Sequence, residues 1–355
     1  MGLKDNSYSI YPESLTGTTV YEPFPGVQNI LITGGAGFIG SWVARHYTLK
    51  YASVYNVVVL DVLGSVSSQN NLACLQKKPN FTFVQGNILD RESILQVLNK
   101  HDIHAVLHFA AESNVQKSFT DPFAFTRMNV IGTHNMLDAM RAHGKIVRYV
   151  HASTDEVYGE TRGQETDETA LLSPTNPYAS SKAAAEMYVM AYHKSFGIPA
   201  VVLRCNNVFG PCQFPEKIIP KFTGLMMDGQ KLTMQGDGTR TRNFLYVSDV
   251  VDAYDTVLHR GEPGIIYNVS SSFNVSVRKV ADGILTLFGH DPAKDYPKHV
   301  TQIPDRPFND EDYVMIGDRL KEIGWKQRVG FDQGLATSVT WFQENLQTWW
   351  SEQSV

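Results

Sequence analysis

No apolar run in this sequence approaches the roughly 20 residues that a membrane-spanning helix requires. The opening stretch, MGLKDNSYSIYPESLTGTTVYEPFPGVQ, carries acidic and polar residues where a secretory signal needs a continuous apolar segment, so a cytoplasmic location is the default expectation. The Met-Gly start is followed by Asn6 where a myristoylation pattern needs Ser or Thr, which argues against a lipid anchor. Cysteine is scarce: Cys74, Cys205 and Cys212 are an odd number without metal-ligand spacing, as expected of reduced packing thiols. An excess of positive charge is also missing. With 31 Lys and Arg against 36 Asp and Glu the net charge is -5, so nothing points to nucleic acid or a membrane surface as partner. Eleven histidines are scattered without a ligand pattern, His101 and His104 of HDIH reading as a helix end, and no metal is expected. Internal repeats, low-complexity tracts and coiled-coil heptads are absent.

What remains is a 355-residue chain, 43% hydrophobic and 19% charged, long enough for one large domain with a smaller lobe. Residues 1–27 lack periodicity and predict an irregular N-terminal extension. From residue 28 to 206, apolar strand-like runs (NILIT, YNVVVLD, FTFVQGN, AVLHFAA, IVRYVHAS, AVVLRCN) alternate with helical segments. That alternation predicts an α/β fold, a Rossmann-type doubly wound parallel sheet. After Asn206 the rhythm turns Pro-rich and then Gly-rich. Residues 207–242 and 263–355 are therefore assigned to a smaller C-terminal substrate-binding lobe, with a return to the first domain at about 243–262.

In TGGAGFIG, Gly34, Gly37 and Gly40 fall between a strand and a helix. The tight turn, the close approach of backbone to a pyrophosphate and the helix-on-strand contact each need glycine. The amides of the following helix then face the phosphates. Asp61 ends the second strand about 20 residues later, where a carboxylate can accept the hydroxyls of an adenosine ribose and repel a 2'-phosphate. Strand, loop, helix, strand and acid together predict NAD rather than NADP.

HASTDEVYGE, residues 151–160, ends a buried strand on two adjacent carboxylates, Asp155 and Glu156. They either serve chemistry or cap the turn that follows, as Asp often does. Tyr178 and Lys182 lie four apart on a helical segment and share a face. A lysine beside a tyrosine favours the phenolate, so such a pair can remove a hydroxyl proton; Thr154 is placed to approach the same hydroxyl.

The glycine loop, STDEVYG and NPYASSKAAAE resemble the extended short-chain dehydrogenase/reductases, and within them the NAD-dependent nucleotide-sugar 4,6-dehydratases. The resemblance covers about residues 28–350, and DRPFND looks most like the dehydratase module of UDP-rhamnose synthases, which act on UDP-glucose. It implies a lyase that oxidises C4, removes water across C5–C6 and returns hydride to C6, giving UDP-4-keto-6-deoxy-glucose in nucleotide-sugar metabolism. Thr154, Tyr178 and Lys182 would serve C4, Asp155 would be the acid at O6 and Glu156 the base at C5. Cofactor contacts fall by match on Gly34, Gly37, Phe38, Ile39, Gly40, Asp61, Asn87, Ile88, Ala110, Ala111, Glu112, Asn129, Tyr178 and Lys182. Glu112 and Asn129 could instead be helix caps. Substrate contacts fall on Ser113, Thr154, Asn207, Lys217, Arg242, Arg306 and Asp310, with a surface ion pair as the other reading of Lys217. Asn87, Asn114 and Gln116 depart from the family pattern, which usually has Asp, His and Asp there. A homodimer through the helical faces near Phe123–His143 and Tyr178–Phe196 is implied too, while WFQENLQTWW reads as a terminal helix packing its aromatics. The chain ends where a dehydratase module would, so later steps toward UDP-rhamnose would need a separate enzyme. The competing readings are a dTDP-glucose 4,6-dehydratase, a UDP-sugar 4-epimerase or decarboxylase in which the two acids are spare, and a non-catalytic NAD-binding regulator.

Overall fold

The computed structural model describes residues 14–304 and 310–350. Seven strands form one sheet: β1 (Asn29–Thr33), β2 (Asn56–Asp61), β3 (Phe81–Gln85), β4 (Ala105–His108), β5 (Arg148–Thr154), β6 (Ala200–Cys205) and β10 (Ile266–Val269). Their order is β10-β6-β5-β4-β1-β2-β3, and every pairing is parallel. Such strands are apolar on both faces because each face meets helices. In β1, Ile30 and Ile32 join a core with Trp42, Val43, Val250 and Leu258. Leu31 points the other way, into a core with Ile94, Leu98, Met136 and Val189. Helices Phe38–Lys50 and Val247–Arg260 thus cover one face, and helices Arg91–Lys100, Gly132–His143 and Pro177–Phe196 the other. This is the doubly wound Rossmann-type sheet that the alternating pattern implies.

Past Asn206 the chain builds smaller sheets. Strands β7 (Asn207–Phe209), β9 (Thr241–Tyr246) and β11 (Asn274–Ser276) form one, and β8 (Leu232–Gln235) pairs with β12 (Val300–Ile303) in another. One correction to the sequence assignment follows. Residues 266–269 lie inside 263–355, the span given to the second lobe, yet β10 pairs with β6 and closes one edge of the large sheet. Four residues are too few to show a period, and the partner strand lies far away in sequence.

Helix Pro177–Phe196 is defined locally. Asn176 caps it by accepting from the Ala179 amide, Pro177 takes the first position, and Gly197 ends it at φ 72°. Residues 14–27, within the expected extension, form no strand yet pack tightly. The Thr18 and Thr19 amides donate to Asp252 Oδ1 at 2.6 and 3.0 Å, and the Thr19 hydroxyl donates to Asp255 Oδ2 at 2.7 Å. Gly17 permits this approach, because a Cβ there would lie 2.4 Å from Asp252 Oδ1. Residues 1–13 lie outside the described residues. Among those described, no helix is long and apolar enough to cross a membrane.

Candidate active site

The carboxyl ends of the central strands open onto one cleft of about 960 Å³, where ligands bind in open α/β sheets. At its cofactor end, Gly34 follows β1 at φ 68° and is pressed on the loop after β4: an added Cβ would lie 2.6 Å from the Ala110 nitrogen. A Cβ on Gly40 would lie 2.3 Å from the Gly34 carbonyl oxygen, so helix Phe38–Lys50 can start this close to the loop only with glycine. Gly37, at the start of that helix, supplies no side-chain cap, which leaves the first-turn amides available to an anion. Asp61 ends β2, accepts from the Ala36 and Leu63 amides at 2.9 and 2.8 Å, and lines the cleft. Burial pushes its carboxyl above the usual value, and these amides oppose the rise. Hydrogen bonds from the Ser67 side chain and the Val62 amide also reach this carboxylate, so a ribose hydroxyl there would share or displace one of its donors. The chemistry of loop and acid fits a dinucleotide.

Mid-cleft, β5 delivers Thr154, and a short 3₁₀ turn, Asp155–Tyr158, follows at once. The Thr154 hydroxyl donates to Asp155 Oδ1 at 3.0 Å and also bonds the Tyr178 phenol. Asp155 is 2% exposed. Burial pushes its carboxyl up to about 7, with the adjacent Glu156 adding to the rise; hydrogen bonds from Asn206 (2.8 Å) and Thr154 oppose it. Burial also raises Glu156, against a 3.0 Å hydrogen bond from Asn176 and the charges of Arg242 and Lys217. The two carboxyls thus sit in different surroundings, the condition for one to act as acid and the other as base.

The phenol of Tyr178 departs from the simple expectation. Burial, then the charge of Glu156, push its proton affinity well above the ordinary phenol value. Burial lowers Lys182 to about 8, and its ammonium donates to the Ala152 carbonyl at 2.6 Å. In the protein alone, desolvation and carboxylates therefore outweigh the lysine at Tyr178.

At the substrate end stand Ser113, Asn207, Lys217, Arg242 and Asp310, all lining the cleft. Lys217 donates to the Ser113 carbonyl at 3.3 Å and lies 3.4 Å from Glu216, so it is both a cleft cation and one half of a surface pair. The Arg242 guanidinium lies 4.9 Å from the centre of the Tyr313 ring. Asp310 Oδ2 accepts from Thr175 (2.9 Å) and from the Tyr313 hydroxyl, while its buried Oδ1 meets no donor among the described residues. Arg306 lies outside the described residues.

Phe38, Ile39, Asn87, Ile88, Ala110, Ala111 and Glu112 also line the cleft, but Asn129 does not. Asn129 is 1% exposed, accepts from the Glu112 amide at 2.8 Å and donates to the Glu112 carbonyl and the Ser181 hydroxyl. Rather than capping a helix, it ties the loop after β4 to the Tyr178 helix. Glu112 is not a cap either, being paired with Lys117 at 3.5 Å. Asn87 Oδ1 accepts from the Leu89 amide, and Asn114 caps helix Val115–Thr120 while donating to Glu216. Sequence reasoning missed Asn206, Asn176 and Tyr313, which touch the carboxylates directly. Only Asn176 had a local signal, as the cap before Pro177.

A glycine loop on a doubly wound sheet, with tyrosine and lysine four apart beside it, defines an extended short-chain dehydrogenase/reductase. Residues 31–338 match the family GDP-mannose 4,6 dehydratase, and the chain belongs to that family. A trifunctional UDP-glucose 4,6-dehydratase/UDP-4-keto-6-deoxy-D-glucose 3,5-epimerase/UDP-4-keto-L-rhamnose-reductase of Arabidopsis thaliana is 43% identical over 92% of this chain and 49% of its own length. The chain thus spans about half the length of that relative. The dTDP-D-glucose 4,6-dehydratase of Mus musculus is 41% identical over 91% of this chain and 90% of its own. Among solved structures, dTDP-glucose 4,6-dehydratase from Bacillus anthracis in complex with NAD superposes with a TM-score of 0.83 at 35% identity, covering 91% of this chain and 98% of that one. A Thermus thermophilus UDP-glucose 4-epimerase complexed with NAD reaches 0.81 at 32% identity, covering 90% and 100%. Dehydratases and epimerases share the fold, so the site's own residues must separate them.

Proposed function

We propose that this chain is an NAD-dependent nucleotide-sugar 4,6-dehydratase acting on UDP-glucose and yielding UDP-4-keto-6-deoxy-glucose. The observation that carries this reading is the pair Asp155 and Glu156, both lining the cleft beside Thr154 and Tyr178 in unlike surroundings. An epimerase has no work for them. When bound, NAD accepts a hydride from C4, returns it to C6 and brings a positive charge to the site. The chain's own residues handle protons and position. Tyr178 takes the C4 hydroxyl proton, with Thr154 hydrogen-bonded to the phenol and Lys182 holding charge nearby. The C4 ketone acidifies the C5 proton, which Glu156 removes as the C6 hydroxyl leaves and gives back to C5 when C6 is reduced. Asp155, carrying its proton close to neutral pH, gives it to the leaving O6 hydroxyl. Lys217 and Arg242 serve the diphosphate; Asp310 Oδ1, without a donor among the described residues, suits a ribose hydroxyl.

The base is the finer part of the proposal. The identity to the plant relative and the DRPFND stretch favour uracil, whereas the 41% identity to the mouse enzyme over most of both chains keeps dTDP-glucose as the second reading. Incubation with each nucleotide sugar, read by mass spectrometry, decides both levels. Loss of one water from UDP-glucose supports the proposal, preference for dTDP-glucose corrects the base, and an unchanged mass sinks the dehydratase. A homodimer belongs to the same reading. Phe123 (79% exposed), Ile131, Met187 (63%) and Tyr188 lie on helical segments packed side by side; sedimentation that gives a monomer would remove it. Three free cysteines suit a cytoplasmic enzyme.

A further inference from the structure

Where WFQENLQTWW ends, the chain does more than pack aromatics. Helix Phe331–Trp349 finishes against the 3₁₀ segment Gln69–Leu75, and the contact there is polar. The Trp349 indole N–H donates to Asn71 Oδ1 at 2.7 Å, and Asn71 Nδ2 donates to the Ala36 carbonyl at 2.8 Å. Asn71 is fully buried. Its amide orientation is fixed by chemistry, since a flip would set donor against donor at Trp349 and acceptor against acceptor at Ala36. Ala36 belongs to the glycine loop. Its carbonyl also accepts from the Ser68 amide at 3.0 Å, and its own amide donates to Asp61. The backbone on both sides of Ala36 is therefore held, its N–H by the Asp61 carboxylate and its carbonyl by the 68–71 segment. Arg45, buried in the helix that follows the loop, adds a second tie by donating to the Asn71 carbonyl and, at 3.1 Å, to the Leu15 carbonyl.

We propose that Asn71 and Trp349 are positioning residues for the cofactor: the C-terminal helix, through the indole N–H and the Asn71 amide, fixes the Ala36 peptide in the shape that receives the pyrophosphate. The inference rests on the reading that this loop holds NAD. A binding loop that is already in its bound shape loses less freedom when the ligand arrives, so the tie acts on affinity and residence time rather than on a bond to the ligand. Trp349 also packs edge-to-face against the buried Trp341, with ring centres 4.9 Å apart and planes at 74°, which holds the indole in place.

The test compares NAD release from wild-type holoenzyme with release from Trp349→Phe and Asn71→Asp. Trp349→Phe keeps an aromatic ring near Trp341 and removes the N–H together with the rest of the pyrrole ring. Asn71→Asp keeps an acceptor for Trp349 but sets a carboxylate oxygen against the Ala36 carbonyl. Loss of one buried hydrogen bond corresponds to about a tenfold faster release in Trp349→Phe, with a larger effect in Asn71→Asp. Turnover should return toward the wild-type kcat when NAD is supplied in excess, and KM for the nucleotide sugar should not move. A merely structural role would lower the melting temperature and leave release unchanged. Release within about twofold of wild type in Trp349→Phe overturns the proposal, and that variant decides alone if Asn71→Asp does not fold. Wild-type protein that holds no NAD would instead overturn the cofactor reading itself.

Discussion

Asn206 allows the acid role of Asp155 to be tested without altering either carboxylate. Its amide donates to Asp155 Oδ2 at 2.8 Å and stabilises the charged form, opposing the rise that burial imposes. Asp155 is 2% exposed, so water screens little of this effect. A hydrogen bond to a charged group is worth about 1.5–3 kcal/mol, and about 1.4 kcal/mol is one pKa unit. Asn206→Ala should therefore lift Asp155 by one to two units; water entering the space left by the side chain recovers part, so about one unit is expected. An acid works only while protonated, so the rate falls as pH rises through its pKa. In wild type, with Asp155 at about 7, roughly a tenth of the low-pH rate should survive at pH 8. In the variant about half should survive, a gain of about fivefold relative to its own plateau. The assay is kcat/KM for water loss from the nucleotide sugar, followed by mass spectrometry from about pH 6 to about pH 9. Each profile is normalised to its plateau, because Asn206 also accepts from the Ser271 amide and its loss will cost stability. Those fractions are the Asp155 share alone; Lys182, lowered to about 8, takes a further share of the rate at pH 8 in both proteins alike, which leaves the fivefold ratio in place. A limb at the same pH in both proteins, or one moved downward, would refute the assignment of Asp155 as the acid.

Other outcomes follow from the same geometry. Glu156→Gln should slow water loss by about 10²–10⁴-fold, the range for a lost general base, and mass spectrometry should find the sugar still carrying its water. Glu186→Ala leaves Arg204 buried opposite an empty position, its partner having stood 2.6 Å away with both side chains at most 3% exposed. Denaturant unfolding should report a loss of about 3–5 kcal/mol; a loss under about 1 kcal/mol would mean that water reaches the pair. Asp255 is buried, which raises a carboxyl, but hydrogen bonding and charge from His259 and His46 hold it below the usual range. A carboxylate held low stabilises the fold fully above its unfolded pKa of about 3.9 and loses that contribution as pH falls through the folded value. His259→Ala should accordingly move the acid-unfolding midpoint to higher pH, as followed by circular dichroism.

What was legible in the sequence was local. The glycine loop, Asp61, and the Tyr178–Lys182 pair declare themselves by spacing along one strand or helix, and the strand runs declare the sheet because parallel strands are apolar on both faces. Partners brought together by the fold left no such mark. Asn206 meets Asp155 across 51 residues and Ser271 across 65, and nothing near Asn206 distinguishes it from Asn207. Asn129 matched a cofactor position by sequence, and its hold on the loop after β4 was not visible there. At Tyr178 the neighbouring lysine was visible, whereas the burial and the Glu156 charge that dominate its surroundings exist only after folding. Residues 14–27 looked irregular because they have no period; the Tyr51 and Tyr55 hydroxyls hold one part of them, and two aspartates on a helix more than 200 residues away another.

That last contact has a temporal side. Thr18 emerges from the ribosome early, while Asp252 lies 234 residues behind it. At 5–20 residues per second, the N-terminal segment waits roughly 10–50 seconds for the helix it docks on. Asn71 waits longer still for Trp349, which follows it by 278 residues. The glycine loop, although encoded within the first 40 residues, gains its full set of supports only after Trp349 has been made. A nascent chain halted before Trp349 would be a poor catcher of its cofactor, because the indole that holds Asn71 would not yet exist.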